Sequence, residues 1–201
     1  VSTKPADAPR EPRTRLTREA RHALLLDAAR DIVLEEGARG VTMEGVALRA
    51  GASKTLAYAY FADADAIRQA LYDGEAVALC ERVIGAMAGQ VGLEHRLGAA
   101  IHAYFDFITT SGQVLVALAL YDTNIARPEL QRRDVDLVKA LAEMLADEAG
   151  CPPARAQSLA VVVMTVADTH GRMALLGVAP RKQLEQQAIA FALGGIERAI
   201  G

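Results

Sequence analysis

Within residues 41–61, VTMEGVALRAGASKTLAYAYF, Lys54, Thr55, Tyr58 and Ala59 recur at helical spacing and face away from an inward seam of Ala57 and Phe61, four residues apart. The segment ahead of them explains what such a face is for. Thr42 is placed to N-cap a first short helix, in which Met43, Val46, Ala47 and Ala50 repeat with helical period. Gly51 lacks a Cβ and takes the left-handed conformation at little cost, so Gly51-Ala52 reverses the chain before Ser53 caps a second helix of about two turns. Two short helices joined by a tight turn make a helix-turn-helix, and the chemistry to expect of the outward face is hydrogen bonding to DNA.

Other residues with chemical potential are sparse. Asp168 and His170 are too few for a metal site, and Asp168 with Arg172, four apart, suits a salt bridge. Cys80 and Cys151 lack CxxC spacing, so buried thiols are expected. The chain has no GxSxG elbow, phosphate-cradling glycine loop or HExxH pair, and no cofactor is expected. An all-α hydrolase built on Asp168 and His170 would need a third converging residue. A helical dimerisation module indifferent to DNA is a further rival reading.

The elements that position the motif follow from composition and punctuation. The 201 residues are 52% apolar but only 4% aromatic, so aliphatic and alanine packing must dominate. Alanine-rich, helix-favouring sequence predicts an all-α protein. Residues 1–16 hold three prolines among charged and small residues and read as a flexible arm, with Arg10, Arg13 and Arg15 available to a minor groove. Thr17 caps a helix to about residue 36 that braces the motif, with Leu25, Ala28, Ala29, Ile32 and Val33 on one face. Asp63 caps a long helix over residues 64–90, and further helices are expected over 94–110, 112–120, 128–149, 153–178 and 181–200, separated by glycines and prolines. The resulting division is an arm (1–16), a DNA-binding unit (17–63) and a helical ligand-binding and dimerisation unit (64–201).

The net charge of −3 does not advertise a nucleic-acid binder, and residues 1–54 carry only a small excess, ten Lys/Arg against eight Asp/Glu. The polar N-terminus and an apolar run of only residues 114–121 predict no membrane partner and a cytoplasmic protein. The last two helices are apolar on more than one side. Leu159, Val162, Val163, Val166, His170, Met173 and Ala174 form one stripe of the first, and Ala160, Ala167, Gly171 and Val178 a small-residue path beside it. On the second, Leu184, Ala188, Phe191, Ala192 and Gly195 are expected on one face and Ile189, Leu193, Ile196 and Ile200 on another. Such helices suit a homodimer through an intersubunit four-helix bundle.

Arg21-x-x-x-Leu25-Leu26-x-Ala28-Ala29-x-x-Ile32-Val33, Glu36-Gly37, Thr42, Ala47, Ala50-Gly51-Ala52-Ser53, Tyr58-x-Tyr60-Phe61 and Asp65 together resemble the N-terminal signature of the TetR family of ligand-responsive repressors. The resemblance spans roughly residues 21–67. Thr55 stands where glycine is common, Ala57 where Leu is usual and Ala64 where the family often has lysine. These departures bear on base choice, on the tightness of the seam and on one phosphate contact.

The resemblance implies a non-enzymatic regulator that binds a palindromic double-stranded operator as a homodimer and is released by a small-molecule effector; an activator of the same fold is the alternative. Carried over by position, Lys54, Thr55, Leu56 and Ala59 would meet base edges, Lys54 at guanine O6/N7 and Leu56 and Ala59 at a thymine methyl. Thr42, Arg49, Ser53, Tyr58 and Tyr60 would meet phosphates. The implied effector pocket has as candidates Met87, His102, Tyr104, Phe105, Phe107, Ile108, Tyr121, Asn124, Met164, Thr165, Asp168, His170 and Met173, a mix of apolar walls and a few polar groups.

Overall fold

The computed structural model describes residues 17–121 and 127–200, with backbone alone for 127–135. Among the described residues every regular element is helical. The chain runs α1 (Arg18–Glu36), a single 3-10 turn (Ala38–Gly40), α2 (Met43–Arg49), α3 (Lys54–Tyr60), α4 (Ala64–Ala88), α5 (Leu93–Thr110), α6 (Gln113–Tyr121), α7 (Arg127–Ala149), α8 (Pro153–Leu175) and α9 (Arg181–Ile200). Helix starts follow the predicted caps. The side chains of Thr17, Thr42, Ser53 and Asp63 each accept a hydrogen bond from the backbone N–H three residues on. The 3-10 turn was not anticipated, and it fills the interval between α1 and α2 by placing Ala38 and Val41 in the core.

Two hydrophobic cores result. The N-terminal one joins α1, α2 and α3 through Leu25, Ile32, Val46, Ala57 and Phe61, and takes in Ile67 and Leu71 of α4 and Val114, Leu115 and Leu118 of α6. The second gathers the later part of α4 with α5, α7, α8 and α9 around Leu97, Phe105, Met144, Leu145, Leu184 and Ile196. An N-terminal helical bundle thus precedes a C-terminal one, and α4 belongs to both.

Two charged residues of α4 are buried, and both bind the N-terminal bundle. Arg68, 7% exposed, donates from Nη1 to Val41 O at 2.8 Å and Ala38 O at 3.3 Å, and from Nε to Asp65 at 3.1 Å. The ring centroid of Tyr121, at the end of α6, lies 4.9 Å from its guanidinium carbon. Glu75, 4% exposed, accepts from Arg30 of α1. Helix α6 meets α5 at 78°, and no single helix among the described residues is long and apolar enough to cross a membrane.

Faces of α8 and α9 divide differently from the sequence expectation. On α9 the buried line is Leu184, Ala188, Ala192 and Ile196, whereas Phe191 is 66% exposed. Spacing alone put Phe191 with Leu184 and Ile196 opposite, and the turn of α9 onto α5 and α8 reverses both. On α8 the buried line is Ala156, Ala160, Val163, Ala167 and Gly171, so Val163 joins the small-residue path and Val162 turns outward.

Candidate nucleic-acid interface and effector cavity

Helix α3 presents one exposed face because a single buried residue anchors it. Ala57 is fully buried and Phe61 nearly so, while Lys54, Thr55, Tyr58 and Ala59 are exposed and Leu56 and Tyr60 half-buried. The turn that aims this face depends on Gly51, whose φ of +61° an L side chain rarely adopts. Ser53 Oγ accepts from Leu56 N at 3.1 Å and Thr42 Oγ1 from Gly45 N at 3.0 Å. Each hydroxyl, engaged as an acceptor, keeps its own hydrogen for an outside acceptor such as a phosphate oxygen.

The cations of this face are paired within the chain. Lys54 Nζ donates to Glu44 on α2 and lies 5.8 Å from the centroid of the Tyr58 ring. The hydrogen bond to Glu44 raises the Lys54 ammonium above its usual range, and the same bond lowers the Glu44 carboxyl. Arg49 grips Glu35 of α1 with both terminal nitrogens, at 2.8 and 2.6 Å, and that contact raises Arg49 and lowers Glu35. Neither acid was singled out in the sequence, since nothing about its position marks a partner until α1, α2 and α3 are packed. Tyr60 sits against the N-terminal core with the His22 ring 6.3 Å from its own, at the edge of the exposed face.

Between the two cores a cavity of about 300 Å3 opens among α4, α5, α6, α7 and α8. Its walls are apolar, including Leu79, Val83, Ile101, Leu115, Leu141 and Val163, with Tyr72 and Cys80 also contributing. At one end Tyr104 Oη donates to Asp168 Oδ1 at 2.8 Å, and Arg172 binds the same carboxylate through Nε (3.0 Å) and Nη2 (2.7 Å). Burial, reinforced by the Asp168 charge, pushes the Tyr104 phenol well above its ordinary range, and the bond to Asp168 raises Arg172 further.

Five of the predicted pocket residues line this cavity: Tyr104, Ile108, Met164, Thr165 and Asp168. The others lie elsewhere. Met87 and Phe105 are in the C-terminal core and Phe107 in the N-terminal one. His102 is exposed and paired with Glu185 at 2.7 Å, and Tyr121 is under Arg68. His170 bonds Val166 O at 2.8 Å with its ring 6.0 Å from Phe191, and Met173 packs against the C-terminal core. Asn124 and the arm residues Arg10, Arg13 and Arg15 fall outside the described residues. Sequence reasoning missed Tyr72, Cys80 and the apolar walls of α4 and α6, because no local pattern distinguishes a cavity wall from core. Among the described residues no group of three or more His, Cys, Asp or Glu gathers as a metal site.

A braced helix-turn-helix on a helical body defines the class, a DNA-binding regulator. Residues 25–71 match the family model described as bacterial regulatory proteins, tetR family. The chain is 32% identical over 151 residues to the HTH-type transcriptional regulator BetI of Burkholderia thailandensis, covering 71% of this chain and 75% of that one. It is 26% identical over 188 residues to the HTH-type transcriptional activator FasR of Mycolicibacterium smegmatis, covering 90% and 85%. A tetR-family transcriptional regulator from Streptomyces coelicolor shares the fold with TM-score 0.71 at 21% identity, covering 92% of this chain and 88% of that one. The chain belongs to the tetR family of bacterial regulatory proteins.

Proposed function

We propose that this chain regulates transcription as a homodimer on a palindromic operator, as a repressor that a small-molecule effector releases. The observation that carries the reading is the exposed face of α3, aimed outward by a buried Ala57 and flanked by two cap hydroxyls with hydrogens to spare. Lys54, Thr55, Leu56 and Ala59 would read base edges, and Thr42, Arg49, Ser53, Tyr58 and Tyr60 would hold phosphates. On this reading Lys54 and Arg49 exchange Glu44 and Glu35 for DNA on binding, and residues 17–63 act as reader while 64–201 bind effector and partner.

One two-turn helix contacts too few base pairs for useful specificity, so two copies are needed. The outward side of α8 and α9 supplies a surface for pairing: Val162 and Phe191 are 56% and 66% exposed, with Val166, His170 and Met173 half-buried along the same side of α8. The cavity then supplies effector control. A ligand changes DNA affinity only by binding two conformations unequally, and a coupling of about 1–3 kcal/mol corresponds to about 5- to 150-fold. The cavity touches α4 and α6, which also pack on the reader, so its occupancy bears directly on reader placement.

Selection from random duplexes with the purified chain, followed by mobility shift across a salt series, tests this. An inverted repeat with half-sites about 34 Å apart, or a multiple, bound by at least two chains and weakened by salt, is the expected result. Failure to enrich any sequence overturns the reading. Activation is a second reading, favoured by the similarity to FasR, which is described as an activator. A promoter fusion whose output rises with this protein present would select it.

A further inference from the structure

We propose that the cavity ending at Tyr104, Asp168 and Arg172 is shaped for an uncharged amphiphile, an aliphatic body of about a dozen non-hydrogen atoms with one hydroxyl head. The inference rests on the effector reading only for its consequence to DNA binding. Size comes first. A dry cavity of about 150 Å3 accepts the six carbons of benzene, so about 300 Å3 accommodates roughly twice that number. The walls are mostly branched aliphatic side chains and alanines, with Tyr72 and Tyr104 as the aromatic members among the described lining residues, which suits an alkyl chain better than stacked rings.

Head-group chemistry follows from what the polar end has already spent. Asp168 and Arg172 are the charged residues among the described lining, and they neutralise each other through two parallel contacts, at 3.0 and 2.7 Å. Tyr104 adds its hydroxyl hydrogen to Asp168. A lone pair on the Tyr104 oxygen and the Nη1 hydrogens of Arg172 take no part in these three bonds, an acceptor and a donor on residues that share the Asp168 carboxylate. A hydroxyl satisfies both and leaves no net charge. A carboxylate would put a second anion beside Asp168, and an ammonium a second cation beside Arg172; the pair is about two-fifths exposed, so water screens part of that extra charge, and a hydroxyl avoids it altogether.

The arrangement is held by an absence. A Cβ at Gly171 on α8 would stand 2.6 Å from Tyr104 Cε1, so only glycine lets the Tyr104 ring lie against the helix with its hydroxyl at Asp168. Gly171 is therefore a positioning residue for the head-group site. Its substitution by alanine displaces the ring from its place beside Asp168.

The test is calorimetric titration of the full chain with 1-decanol, decanoate and decylamine at pH 7, each below its self-association concentration. Decanol should bind at least about tenfold tighter than either ion. Tyr104→Phe, which keeps the ring, should compress that preference to about threefold or less while retaining some decanol binding. Ala76→Phe, which fills the cavity, and Gly171→Ala, which displaces the Tyr104 ring that lines it, should each weaken all three ligands in protein that still melts cooperatively. Equal or tighter binding of decanoate or decylamine overturns the inference, as does binding indifferent to both variants or absent for all three ligands. A mobility shift with decanol separates the two readings. Preferred binding without any effect on DNA would sink the effector reading and leave the head-group preference standing, whereas DNA release by decanoate in preference to decanol would do the reverse.

Discussion

The exposed face of the helix-turn-helix draws its polar groups from residues 42–60, whereas the cavity draws its walls from positions scattered between Tyr72 and Arg172 on five helices. The first is built by local rules, two caps, one positive-φ glycine and a buried alanine, and its outward side chains project into solvent. The second exists only because five helices fail to close on one another, and its polar end is a tertiary contact between α5 and α8. A site of the first kind tolerates change one side chain at a time. A site of the second kind responds to anything that shifts a helix.

The helix shared by both bundles provides the sharpest way to break this separation. Arg68→Met removes charged hydrogen bonds to Val41 O and Ala38 O and the contact with Tyr121, and should cost about 2–4 kcal/mol in denaturant unfolding. It should also weaken DNA binding and alter ligand binding together. A variant that lost neither would show that α4 does not couple the regions.

Within the reader, Lys54→Ala should cost about 1–3 kcal/mol on the selected operator and relax base preference, with ligand titration unchanged. A selection that returned the same motif would remove Lys54 from base reading. Tyr58→Phe should weaken all duplexes alike by about 0.5–1.5 kcal/mol, measured by mobility shift.

Within the cavity, the raised Tyr104 phenol sets the sign of an alkaline effect. Above the unfolded phenol's pKa near 10 the unfolded chain has released its proton and the native chain has not, so the bound-proton difference makes stability fall as pH rises. The contribution is complete below that pH. Tyr104→Phe should therefore flatten the loss of stability between about pH 10 and 11.5 by up to about 1.4 kcal/mol per pH unit, read by urea unfolding at each pH.

The smallest effect belongs to the exposed pair on the reader. Glu44→Gln frees Lys54 and should strengthen DNA binding about threefold at low salt, an advantage that fades as salt rises, while the denaturant midpoint stays essentially unchanged. Weaker binding of the variant would instead make Glu44 a direct contact to DNA.

Much of this was legible before any coordinates. The caps at Thr17, Thr42, Ser53 and Asp63, the reversal at Gly51 and the helix boundaries around prolines are signals carried by neighbouring residues, and each α-helix begins within a residue or two of its expected place. The cavity was legible only in part. Tyr104, Ile108, Met164, Thr165 and Asp168 line it, but Phe105 and Met87, of the same chemical kind, are ordinary core, and His102 faces solvent. Phe191 shows the same limit on α9: period marks a stripe, not which stripe a neighbour covers.

The sequence by itself determined the helices, their order and the outward face of α3, because capping, turn geometry and side-chain period act over a few residues. Tertiary structure alone decided that Glu44 and Glu35 hold Lys54 and Arg49, that Arg68 and Glu75 are buried against the N-terminal bundle, and that Tyr104, Asp168 and Arg172 close one end of a cavity. Those outcomes depend on helices distant in the chain meeting at particular rotations, and that choice is made by the sum of many weak packing contacts rather than by any residue in isolation.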